Sequence, residues 1–94
     1  QTIRNAIANG NFNLCTTLVT EMYELFSCNQ SFNSDISFWD TSNVTDMYAM
    51  FYMASSFNQD ISEWYVNNIS AEPGGFSSES GLSIYNKPLW GTCP

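Results

Sequence analysis

Side chains able to do chemistry are few and one-sided in this chain: nine carboxylates, three cysteines and no histidine in 94 residues. Without an imidazole there is no Ser-His-Asp or Cys-His arrangement and no His-based acid–base pair, and most zinc sites are excluded as well. Gly74-Gly75 is an isolated pair with no Lys-Ser/Thr after it, so there is no phosphate loop. Carboxylate chemistry remains. Asp35 and Asp60 occupy equivalent sequence surroundings, and two close carboxylates are what glycoside hydrolysis requires. A catalytic pair, however, needs two different environments to separate its pKa values, and repeat mates share one. A non-enzymatic protein with no catalytic residue is therefore expected. Hard-cation chemistry fits better, because Asp35, Asp60, Asp40 and Glu63 could supply oxygen ligands to calcium. Their spacing lacks a dense D-x-D-x-D loop or a Gly-rich nonapeptide, so the favoured role is to accept backbone N–H groups in turns, with no cofactor required.

The spacing of these carboxylates comes from an internal repeat. Val19–Asn43, VTEMYELFSCNQSFNSDISFWDTSN, and Val44–Asn68, VTDMYAMFYMASSFNQDISEWYVNN, are identical at 13 of 25 positions. The shared pairs are mostly apolar, among them Val19/Val44, Met22/Met47, Phe26/Phe51, Phe32/Phe57, Ile36/Ile61 and Trp39/Trp64, as stacked coils require. A degenerate third copy starts at Ile69, with Phe76 expected on the Phe26/Phe51 column, Leu82 on Phe32/Phe57 and Leu89 on the Trp column. There Glu72-Pro73-Gly74-Gly75 replaces the Met-Tyr segment, as suits a terminal coil. The chain thus divides, within one domain, into an N-terminal cap (1–18), repeat 1 (19–43), repeat 2 (44–68) and a capping repeat (69–94). In the cap, Thr2–Asn9 reads as a short helix stopped by Gly10.

Within a full coil, Val44, Met47, Met50, Phe51 and Ala54 recur at helical spacing, and Asn43 with Asp46 suits an N-cap and an acidic first turn. The spacing predicts a helix of two to three turns. Phe57–Trp64 is too short for anything but a strand or an extended turn. Each coil is expected to be a helix followed by a short strand, with successive strands in parallel.

The segments NVTDMYAMFYMASSFNQDISEW and FNSDISFWDTSNVTDM resemble the repeats of BspA-like surface proteins, whose recurring words are close to SNVTDMSxMFxxASSFNQDISxWD. The end of the chain, NKPLWGTCP, resembles that family's terminal coil. The resemblance implies an α/β repeat fold, a right-handed leucine-rich-repeat-like solenoid. It also implies exported, cell-displayed proteins that work in adhesion or recognition, and it places Tyr65 where relatives often carry Cys.

Composition agrees with a recognition role outside the cell. Two basic residues against nine acidic ones give a net charge of -7, which leaves no cationic groove for nucleic acid and disfavours anionic lipid. No apolar stretch approaches the roughly 20 residues of a membrane span. Few basic residues, abundant Asn and Ser and three cysteines favour a secreted or surface-displayed protein, its signal or anchor lying outside these residues. The expected partners are extracellular proteins or glycans.

Positions that differ between otherwise matching coils are released from packing. Among them, Phe38, Tyr52 and Tyr65 are aromatics without a column mate and are the candidate contact residues. Trp39 and Trp64 are assigned to the core, and Asn33 with Asn58 to an amide ladder between coils. Three cysteines permit one internal disulfide, and a chain reversal favours Cys15–Cys28. Asn29, Asn43 and Asn68 open N-x-S/T triplets, but helix capping explains Asn43 and Asn68 equally well.

Overall fold

The computed structural model describes Gly10, Thr16 and residues 19–92. The expected helix Thr2–Asn9, Cys15 and Cys93 lie outside them. Among the described residues the regular structure is one 3₁₀ turn, Ile84–Asn86, and one isolated parallel bridge, Glu21 to Asp46. The expected fold class, an α/β leucine-rich-repeat-like solenoid of helix plus strand, is therefore not what forms. The coils are built from turns.

In the segment expected to be helical, alternate amides go to different places. Met22, Glu24, Phe26 and Cys28 donate to the carbonyls of Asp46, Tyr48, Met50 and Tyr52 in the next coil at 2.7–2.9 Å. Leu25, Ser27 and Asn29 donate back three residues, to Met22, Glu24 and Phe26. Glu24 and Cys28 have positive φ, 54° and 61°, at the third position of their turns, which is the type II signature. Ala49 (52°) and Met53 (59°) repeat this in the second coil. Each such residue costs about 1–2 kcal/mol relative to the right-handed region, offset by the coil-to-coil bonds and the rings they bring together.

Spacing is the physical reason no helix forms. Phe26 lies over Phe51 with ring centroids 5.5 Å apart and Phe32 over Phe57 at 5.3 Å, with interplanar angles of 5° and 9°. Packed α-helices need roughly 8–10 Å between axes, so coils this close must be one chain thick. The apolar positions at helical spacing are buried all the same, Met47, Met50, Phe51 and Ala54 included, because a run of turns also returns side chains to one side every three or four residues.

The expected strand, Phe57–Trp64, does not form either. Asp60 accepts the amide and hydroxyl of Ser62 at 3.0 and 2.6 Å, and Trp64 N–H closes a turn on Ile61 at 3.1 Å. Side chains replace the missing ladder. Asn33 Oδ1 accepts Asn58 N–H and Asn58 Oδ1 accepts Ser83 N–H, at 2.9 and 2.8 Å. The Asn33/Asn58 amide ladder thus exists, and it runs along an exposed edge rather than through the core.

The third coil keeps the stack but shifts register. Ala49, Phe51 and Met53 donate to Gly74, Phe76 and Ser78, and positive φ falls at Gly75 and Glu79. Each mate thus lies one residue later than a 25-residue repeat gives. Phe76 consequently takes the Leu25/Met50 place and meets Phe51 edge-on, at 5.3 Å and 88°. The register returns by Ser83. On the way, Gly81 passes so close to the second coil that a Cβ there would lie 2.6 Å from the Ser55 carbonyl oxygen. Leu82 is buried as its column requires, but Leu89 is 69% exposed and Trp90 packs against the core in its stead.

Candidate functional site

Two surfaces carry exposed side chains. The first is a groove beside the Trp column, about 440 Å³, lined by Ser37, Trp39, Asp40, Thr41, Ser42, Glu63, Trp64 and Tyr65. A second hollow of about 450 Å³, lined by Asp35, Ser37, Gln59, Asp60 and Glu63, continues it, since Ser37 and Glu63 line both. The floor is fixed by buried groups: Trp64 donates its indole N–H to the Ile36 carbonyl at 3.1 Å, and Thr41 donates its hydroxyl to the Tyr65 carbonyl at 2.7 Å. Trp39 and Trp64 are core residues, each at most 3% exposed.

The carboxylates in the groove are held by local turns. Ser37 N–H donates to Asp35 Oδ1 at 2.9 Å, and Ser42 donates its amide and hydroxyl to Asp40 Oδ1 at 3.0 and 2.6 Å. Hydrogen bonds from the Ser37 hydroxyl and amide hold the Asp35 carboxyl below its ordinary value, and Ser62 does the same for Asp60. The two acids are thus shifted in one direction by one cause, whereas a general acid and base require opposite shifts. Asp35, Asp60 and Glu63 line one hollow, yet among the described residues no three acidic or thiol groups are placed to hold a metal ion together.

Of the candidate contact residues, Tyr65 lines the groove and is 46% exposed, while Phe38, between Ser37 and Trp39, is 54% exposed. Tyr52 is exposed but lies on the other surface, among the turns. There, reasoning from variable positions misses Tyr23 and Tyr48, which are identical between coils and still exposed. Their rings stack at 5.6 Å and 21°, and the Gly74 backbone closes on the Tyr48 ring, where a Cβ would lie 3.3 Å from Cε1. The signal was available: Tyr48 falls outside the spacing of the buried Met47, Met50, Phe51 and Ala54, as Tyr23 falls outside that of Met22, Leu25 and Phe26. The two coils also differ at Glu24, which is exposed, and Ala49, which is buried beside Gly75.

Cys28 is exposed with a free thiol, and its expected partner Cys15 lies outside the described residues. Asn68 donates its amide to the Ser42 carbonyl at 2.9 Å, bonding the second coil to the first. No helix among the described residues is long and apolar enough to cross a membrane.

Residues 3–86 match the family described as Mycoplasma protein of unknown function, DUF285, and the chain belongs to that family. No curated protein and no solved structure matches it.

Proposed function

We propose that this chain is a non-enzymatic recognition module of a secreted or surface-displayed protein, and that it binds a polypeptide or a glycan through its exposed aromatic side chains. One observation carries the reading: Tyr23, Phe38, Tyr48, Tyr52 and Tyr65 all stand in solvent on coils whose core is already filled by Phe, Met and Trp. Aromatics not needed for packing, on a chain this small, are the residues that interfaces enrich. Resemblance of the repeat words to BspA-like surface proteins supports the same role, as an argument from analogy.

Stacking occupies a face of both Tyr23 and Tyr48, which leaves less open ring for a sugar and favours a polypeptide there. A second reading, a spacer or terminal cap of a larger adhesin, is favoured by Ser83, whose hydroxyl bonds back to Tyr85 N–H within its own coil. An array of extracellular-matrix proteins and glycans, probed with and without calcium, separates these. Hits lost in Tyr52→Ala/Tyr65→Ala with an unchanged circular dichroism spectrum are the expected result. Hits that survive the double variant remove these residues from the role, and silence under both conditions favours the spacer.

A further inference from the structure

The aromatic-walled groove between the two full coils is, we infer, a docking site for an arginine- or lysine-rich polypeptide segment. This deepens the recognition reading and rests on it. Tyr65 forms one wall and is about half exposed, beside the faces of Trp39 and Trp64. Along the continuation lie Asp35, Asp60 and Glu63, all exposed, and among the described residues no cationic side chain lines either hollow. Lys87, the only basic residue among those described, is engaged elsewhere, 3.1 Å from Glu72.

Charge complementarity selects the occupant. Ser37 and Ser62 fix one oxygen of Asp35 and Asp60 and keep both carboxyls ionised, so the groove presents ordered negative charge before any partner arrives. A guanidinium or ammonium group can meet these carboxylates while its stem or plane lies on Tyr65. A neutral or acidic segment would leave the same carboxylates repelled or uncompensated.

Hexa-arginine and hexa-lysine serve as probes, with hexa-glutamate as control, in fluorescence anisotropy at low and physiological salt. Asp60→Asn/Glu63→Gln should weaken hexa-arginine binding about ten-fold, and Tyr65→Ala about three-fold through the lost cation–π contact. Asp60→Asn keeps an oxygen to accept the Ser62 bonds, so folding is preserved. Glu24→Gln/Glu79→Gln removes the same charge from exposed positions outside the groove and should change binding less than about two-fold, because screening confines exposed charges to roughly 8 Å. Equal losses in the two double variants, or no binding of either cationic peptide, would overturn the groove assignment. An array ligand that hexa-arginine fails to displace would sink this inference while leaving the recognition role intact.

Discussion

The first two coils and the third stack on one another, yet they achieve it differently. Coils 19–43 and 44–68 stack like on like: Phe over Phe, Tyr over Tyr, and the Asn33 side chain accepting the Asn58 amide of the next coil. The third coil abandons each device. Phe76 turns edge-on, Gly74 takes the place beside Tyr48, and Ser83 replaces the ladder Asn and bonds within its own coil. Pro73, which has no N–H, stands on the column where Met22 donates to the next coil. Coil 44–68 has a coil on both sides and is constrained by translation, whereas the third coil meets a coil on one side only among the described residues.

Substitution at the rings should give the largest separation between these regions. Phe51 meets Phe26, Phe57, Trp64 and Phe76, so Phe51→Ala is expected to cost roughly 3–5 kcal/mol, enough to unfold so small a stack. Phe76→Ala should cost less, since Phe76 makes two ring contacts, edge-on to Phe51 and Trp90, where Phe51 makes four. Urea denaturation of the two variants decides the matter, and equal losses would erase the distinction between inner and terminal coils.

A smaller difference lies in the indoles. Trp64 donates to the Ile36 carbonyl, but the equivalent Trp90 N–H is buried with no acceptor among the described residues. Trp64→Phe should therefore cost about 1 kcal/mol more than Trp90→Phe, the net worth of one buried hydrogen bond. Matching thermal shifts in the two variants would place an acceptor at Trp90 in solution.

The smallest effect is electrostatic and belongs to the two full coils alone. Asp35 and Asp60 have carboxyls lowered by their Ser hydrogen bonds, so the stability they contribute is present above the unfolded carboxylate pKa and lost as pH falls through the folded one. Melting temperature should stay level from neutral pH to about pH 4 and decline below it. Asp35→Asn/Asp60→Asn should flatten part of that decline. An unchanged acid limb in the double variant would assign the loss to the other carboxylates.

Although it misplaced Phe76 and Leu89 in the third coil, the amino-acid sequence alone determined the 25-residue period, the core columns of the two full coils and the exposure of Phe38, Tyr52 and Tyr65, because burial follows residue type at repeated positions. It also pointed to the side-chain role of Asn33 and Asn58. It misled on secondary structure: the spacing of Met47, Met50, Phe51 and Ala54 fits a helix and a run of turns equally. Only the tertiary stack chose between them, since rings 5.3–5.5 Å apart leave no room for a helix and alternate amides must reach the neighbouring coil. A second one-residue slip, after the return at Ser83, seats Trp90 rather than Leu89, and it too was decided in three dimensions, where each amide finds its carbonyl.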